Sequence, residues 1–233
     1  MSTILINLQA VQQQIIHAAQ IAGRSPHEIQ LLAVSKTFNA EAVLEAGKAG
    51  QTAFGENYLQ EALDKMAEVR RLSPELALEW HFIGPIQSNK TRLIAQNFSW
   101  AHAVDRLKIA ERLSEQRPDN LPPLNICLQI NISEQETKSG VPINQAAQLA
   151  QQIAALPNVR LRGLMAIPEP AQTLEQQRTP YQQIKTLQEQ LNQQGLALDT
   201  LSMGMSADLE AAILEGSTMV RIGSAIFGKR NYA

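Results

Sequence analysis

Cysteine is nearly missing from this sequence. Cys127 is the only one among 233 residues, which excludes an internal disulfide framework and any paired-cysteine metal site. Set in Ile126-Cys127-Leu128, it reads as a small hydrophobe of the core. A surplus of either charge is missing too. Twenty Lys and Arg against 22 Asp and Glu leave a formal charge of −2, so neither nucleic acid nor an anionic membrane is an expected partner. No uninterrupted apolar run approaches the length of a membrane span. The first residues, Met1-Ser2-Thr3-Ile4-Leu5, have neither the basic segment nor the apolar core of a signal peptide. Nucleotide cradles are absent as well: no GxGxxG follows a strand and no GxxxxGKS/T occurs. His17, His27, His81 and His102 show no spacing that suggests a metal. These absences leave a cytoplasmic chain, expected as one domain over residues 1–233 and as a monomer.

What is present is a regular alternation. Leu5, Leu8, Val11, Ile15, Ala18 and Ala22 recur at helical spacing and predict a leading helix over 5–22. Strand-like runs follow at 29–37, 52–57, 79–86, 100–105, 124–132, 159–167, 200–205 and 219–223. Helical patterns fall between them at 40–48, 59–71, from 88 onward, 107–116, 144–156, 174–194 and 208–214. The proline-rich stretch 117–123 is a stiff loop within this rhythm. Strand-then-helix repeats imply parallel strands with helical crossovers, and eight of them are the number that closes a barrel. The prediction is a (β/α)8 TIM-type barrel with one extra N-terminal helix. An open doubly wound sheet is the competing architecture.

In such a barrel, sites are built at the C-terminal ends of the strands. Lys36 ends the run Leu31-Leu32-Ala33-Val34-Ser35-Lys36-Thr37 and shares a strand face with Leu32 and Val34. Desolvation there favours a neutral amine, a nucleophile for aldehydes and ketones. The alternative is a lysine that snorkels out at a strand end. The last two units close on Ser202-Met203-Gly204-Met205-Ser206 and Arg221-Ile222-Gly223-Ser224, the place where barrels hold phosphate on small residues and backbone N–H groups. Arg221, in phase with Met219 and Gly223, points inward. It then faces either a carboxylate such as Asp105 or Glu56, or a ligand heteroatom. A lysine, a phosphate cup and an inward arginine together describe a pyridoxal 5′-phosphate site. His81 reads as a strand histidine satisfied in the core. Lys138, in a polar loop after the fifth strand, could approach the site mouth.

The segments LLAVSKT, FGENYLQE, WHFIGPIQSNK, LQINIS with TKSG, LRGLMAIP, LSMGMSADLEAAI and MVRIGSAIFG resemble the pyridoxal-phosphate homeostasis proteins, single-domain relatives of the alanine racemase N-terminal barrel. The resemblance implies that barrel, of the type III fold of pyridoxal-phosphate proteins. It implies the cofactor as a Schiff base on Lys36, phosphate contacts from Ser206, Gly223 and Ser224 with Ser202 close by, Arg221 near the ring nitrogen, and Asn57 at the second-strand position. It further implies a carrier and regulator in cofactor homeostasis, with apo-enzymes as recipients and no catalytic residues of its own. The rivals are a racemase-like enzyme of the same cofactor and a barrel aldolase that uses Lys36 on a sugar phosphate with no cofactor. An alanine racemase takes its second base, a tyrosine, from a C-terminal domain of a partner subunit, whereas this sequence stops at Ala233. None of Tyr58, Tyr181 and Tyr232 stands as an obvious replacement, so racemisation is not expected.

Overall fold

Residues 3–133 and 139–228 are described by the computed structural model. Helix α1 (Thr3–Ile21) leads into strand β1 (Gln30–Val34), α2 (Ala40–Lys48), β2 (Ala53–Glu56), α3 (Leu59–Leu72), β3 (Glu79–Phe82) and α4 (Thr91–Asn97). The alternation continues through β4 (Trp100–Val104), α5 (Leu107–Glu115), β5 (Leu124–Asn131), a two-residue β6 (Val141–Pro142), α6 (Ile143–Ala154), β7 (Val159–Ala166) and α7 (Leu174–Gln193). It ends with β8 (Thr200–Ser202), α8 (Leu209–Leu214), β9 (Met219–Ile222) and the short α9 (Ser224–Phe227). The strands pair in the order β4-β3-β2-β1-β9-β8-β7-β5, and β4 pairs with β5 to close an eight-stranded parallel barrel. The barrel is therefore the one the alternation predicts.

Two features differ from the sequence reading. Strand β6 was not anticipated; it pairs with Ile130 and Asn131 of β5, beyond Leu128, the last registered partner of β4. It thus covers the edge that β4 leaves open. Several strands are also shorter than their apolar runs. β1 stops at Val34 rather than 37, and β8 at Ser202 rather than 205, because the last residues of each run turn into the rim. Among the described residues, no helix is long and apolar enough to cross a membrane.

Apolar side chains of the strands' outer faces meet the helices. Ala33, Phe54, Val220 and Ile222 pack under Leu8, Val11, Ile15 and Ala18, the helical stripe of α1. α1 is thereby laid over the seam between β1 and β9. The inner face has another composition. Parallel register aligns Leu32 with Arg221, Gly55 with His81, His81 with Trp100, and Met165 with Ser202. Most barrels of this class fill their interior with branched aliphatics; here two histidines, a serine and an arginine lie inside.

β7 and β8 approach so closely that a Cβ at Gly163 would collide with the Thr200 carbonyl, a backbone atom that cannot yield. We expect Gly163→Ala to lower unfolding free energy by about 1–3 kcal/mol or more, as overpacking does. Urea denaturation of the two proteins measures it, and equal midpoints would contradict this packing.

Candidate functional site

β2, β1, β9 and β8 are neighbours in the wall, so the residues that follow them share one arc of the rim. Asn57 follows β2, Lys36 follows β1, Gly223 and Ser224 follow β9, and Ser206 lies in the loop after β8. Lys36, half-buried, sits in a turn rather than in the strand itself. That turn is held from behind. The Lys65 ammonium, on α3, donates to the Ser35 carbonyl at 2.7 Å, to Glu56 Oε1 at 2.7 Å and to Glu61 Oε1 at 3.0 Å. Ser35 Oγ donates to the same Glu56 oxygen at 2.6 Å, and Glu61 accepts from the Thr37 N–H at 2.7 Å. Thr37 is left-handed, with φ of 69°, a conformation that costs a β-branched residue and persists only where its surroundings impose it. Glu56 is wholly buried; desolvation raises its pKa, against the pull of Lys65.

The other side of the arc lies on β8 and β9. Gly204 (φ 96°) turns the chain out of the barrel, and its carbonyl accepts from the Arg221 N–H at 2.9 Å. Asp208 shapes the loop that follows, accepting from the Met205 N–H at 2.6 Å and from the Tyr181 hydroxyl at 2.7 Å. Burial, then the Asp208 charge, pushes the Tyr181 pKa up. Ser206 and Ser224 stay exposed. The N–H groups of Ser224 and Ala225 open a helical turn and bond to no carbonyl among the described residues. Gly223 leaves room where a Cβ would press on the Val34 carbonyl. Phe38 and Phe227, with ring centroids 5.1 Å apart, tie the turn after Lys36 to this cup.

Arg221, two residues before Gly223 on β9, is buried inside the barrel. Its Nη1 donates to the carbonyl and hydroxyl of Ser202, and its Nη2 to the Ala166 carbonyl at 2.9 Å. Neither carboxylate weighed from the sequence is its partner: Glu56 pairs with Lys65, and Asp105 with Arg106. Ser202 is also fully buried, its hydroxyl held by Arg221 and by His102 Nδ1 at 2.8 Å. That hydroxyl therefore holds the arginine and is not exposed at the rim with Ser206 and Ser224. Asn57 packs under Gly84, where a Cβ would strike the Asn57 backbone. Its buried Oδ1 has no hydrogen-bond partner among the described residues.

Sequence reasoning did not find the Lys65 cluster or the histidine pair. His81 and His102 are buried, with Nδ1 and Nε2 at 3.0 Å, and burial depresses both pKa values, that of His102 further. The inward phase of each is legible in its strand run; that the two rings meet is set by the register of β3 on β4. Among the described residues no cluster of His, Cys, Asp and Glu could hold a metal ion. Cys127 is inert, its thiol pushed up to about 12 by burial. Lys138 and Tyr232 lie outside the described residues. A cleft of about 800 Å³ opens beside this arc, above β5 and β7, lined by Asn131, Ile167 and Met205 among others. It does not include Lys36 or Ser224, and the orphaned donors and acceptor mark the ligand-facing arc better than volume does. The arc offers donors for an anion, an arginine for a ring nitrogen, an acceptor for a hydroxyl, and an amine for a carbonyl carbon.

The family model for the alanine racemase N-terminal domain matches residues 6–231. The pyridoxal phosphate homeostasis protein of Pseudomonas aeruginosa is 59% identical over 232 residues, 100% of this chain and 98% of that one. Its counterpart in Escherichia coli K12 is 53% identical over 233 residues, 100% of this chain and 99% of that one. Among solved structures, PipY of Synechococcus elongatus PCC7942 with pyridoxal phosphate bound superposes with a TM-score of 0.84 at 36% identity, covering 97% of this chain and 100% of that one. Alanine racemase from Corynebacterium glutamicum, at 20% identity and TM-score 0.66, shares the fold over 97% of this chain and 62% of its own.

Removing the Lys65 cation leaves Glu56 charged and buried without its partner. We expect Lys65→Met to cost about 3–5 kcal/mol at neutral pH. With the ammonium gone, the folded pKa of Glu56 rises further above its unfolded value. The variant is then most stable below the unfolded glutamate pKa and loses stability as pH rises through the folded one. Urea unfolding at pH 5 and pH 8 tests the sign; a deficit that is larger at pH 5 would contradict it.

Proposed function

Because this chain belongs to the alanine racemase N-terminal domain family, alongside the pyridoxal phosphate homeostasis proteins, we propose that it binds pyridoxal 5′-phosphate covalently on Lys36 and serves as a carrier and regulator of that cofactor. The observation that carries this reading is the convergence on one arc of a strand-end lysine, donors at the start of α9 that bond to no described residue, and a buried arginine two residues before them on β9. The residues fit the group. Ser206, Gly223, Ser224 and the Ala225 N–H would hold a phosphate, as charge-assisted donors do. Arg221 has two N–H groups, on Nε and Nη2, that bond to no described residue, and these suit a ring nitrogen. The orphaned Oδ1 of Asn57 suits a hydroxyl. Bound cofactor would supply an aldehyde carbon, which the Lys36 amine takes up with loss of one water. The Lys65 clamp keeps that amine on the rim.

The same arrangement argues for holding rather than turnover. A permanent cation at the ring nitrogen disfavours its protonation and weakens the ring as an electron sink. Tyr181 donates its buried hydroxyl to Asp208, and Tyr58 is exposed at the head of α3; neither is a buried group poised to return a proton. Likeness to alanine racemases extends to the fold alone, so the racemase-like alternative gains nothing from it. Handing the cofactor to apo-enzymes completes the proposal, and an exposed rim suits exchange with other amines.

Purified protein incubated with cofactor and then borohydride should gain one cofactor mass on the peptide containing Lys36. Lys36→Ala should lose the covalent label yet keep weak, reversible binding in equilibrium dialysis, since the cup remains. A label on another lysine, or no binding at all to the alanine variant, would sink the assignment. Racemisation of alanine, followed by chiral chromatography, should stay below about 1 s⁻¹, the lower end of ordinary enzyme turnover. A faster rate would restore the enzyme.

A further inference from the structure

The interior of the barrel contains a chain of hydrogen bonds with only one consistent proton arrangement. Arginine has no acceptor, so in its 2.9 Å contact with Ser202 Oγ the guanidinium donates. Ser202 Oγ keeps a second lone pair, so its 2.8 Å bond with His102 Nδ1 takes its direction from the other end: the Glu79 carboxylate only accepts, each neutral histidine then donates through Nε2, and the Ser202 hydroxyl donates to Nδ1. His102 is wholly buried, and burial, reinforced by His81 and Arg221, holds it neutral. With Nδ1 accepting, its proton sits on Nε2 and is donated to His81 Nδ1 at 3.0 Å. His81, also buried and neutral, must in turn carry its proton on Nε2, which lies 3.1 Å from Glu79 Oε2. Glu79 ends the chain as a carboxylate, its pKa lowered chiefly by the His81 bond. Trp100 Nε1 at 3.1 Å and Gln30 Nε2 at 3.4 Å steady it. The opposite tautomer at either histidine would set donor against donor or acceptor against acceptor.

This relay crosses the barrel. Glu79 is the first residue of β3, on the rim opposite the site, with a side chain 39% exposed. Arg221 lies near the far end of β9. Aligned donors polarise one another: pulling the hydroxyl proton toward His102 makes Ser202 Oγ a better acceptor for Arg221. Both N–H groups of Nη1 are thereby committed to Ser202, and one of Nη2 to Ala166. Tyr181, Asp208 and Cys127 also face Arg221 electrostatically, but none is bonded to it, so they do not fix its rotation.

We propose that His102, with His81 and Glu79 behind it, is a positioning element that locks the Arg221 guanidinium so that its remaining N–H groups meet the ring nitrogen of the bound cofactor. The inference rests on the cofactor reading above and adds to it a control point on the opposite rim. His102, His81 and Glu79 touch no ligand; they act through Ser202 and Arg221.

The test compares two probes on the full chain: pyridoxal 5′-phosphate, and its 1-deaza analogue, in which a C–H replaces the ring nitrogen. Parent protein should prefer the nitrogen-bearing ligand. His102→Leu should reduce that preference about tenfold, the worth of one charge-assisted hydrogen bond, while affinity for the deaza ligand stays unchanged. His102→Gln, whose amide can accept from Ser202 and donate to His81, should restore most of it. Should His102→Leu fail to fold, Glu79→Gln, at the partly exposed end, should lower the preference in the same direction by a smaller factor. In ligand-free protein, nitrogen NMR should show both His81 and His102 protonated on Nε2 alone. An unchanged preference, an equal loss for both ligands, or the opposite tautomer at either ring would overturn the inference and leave the cofactor reading standing. Parent protein that bound neither probe would overturn both.

Discussion

A guanidinium enclosed in a closed barrel must be given acceptors, and the architecture of this protein follows from that requirement. Desolvating such a charge is costly unless hydrogen bonds replace the lost water. Arg221 takes them from the Ser202 carbonyl and hydroxyl and the Ala166 carbonyl, at the ends of β8 and β7. Those carbonyls are available because both strands stop there, β7 one residue and β8 three residues before the apolar runs do. Polar content then spreads inward by necessity: the serine hydroxyl needs an acceptor, the first histidine another, and the series closes only on the half-exposed Glu79. A branched aliphatic at His102 would pack the space but leave this sequence of donors unfinished.

The lysine and the arginine are held from opposite sides of the same sheet. Lys36 is presented by an ion cluster on the outer face, where α3 covers β1 and β2. Arg221 is presented by a neutral relay on the inner face. The first uses full charges in a pocket between sheet and helix, so its strength depends on the protonation of Glu56. The second uses dipoles and places its one exposed charge far from the ligand arc. A substitution on α3 and one on β4 therefore disturb the same arc by unrelated physics.

Apolar periodicity carried most of the fold. Eight strand runs and their intervening helices gave the barrel, and the stripe from Leu8 to Ala18 gave the leading helix that seals β1 against β9. Strand ends were less legible: hydrophobicity continues through Ser35-Lys36-Thr37, whereas the backbone leaves the sheet at Val34 under the pull of Lys65 and Glu61, residues of a helix whose own pattern shows no sign of it. β6 escaped because two residues carry no periodicity. The rim position of Lys36 and the inward phase of Arg221 could be read from alternation. The partners of Arg221 could not, since carbonyls have no sequence signature. The pairing of His81 with His102 needed the register between β3 and β4, a property of the folded sheet.

The seam between β1 and β9 joins the first strand to the last; α1 is stitched across it by Asn7 Nδ2 donating to the Ile226 carbonyl, 219 residues away in sequence, and the segment after α1 by Arg24 donating to the carbonyls of Ile213 and Ser217. Contacts of such separation form late, because their loop entropy is met only once the intervening units have ordered. Lys36 and the Gly223–Ser224 cup stand on the two sides of that seam. An unfinished barrel accordingly has the lysine but no cradle. Any ligand that bridges the two sides acts as a clasp, drawing the folding equilibrium toward closure in proportion to its occupancy.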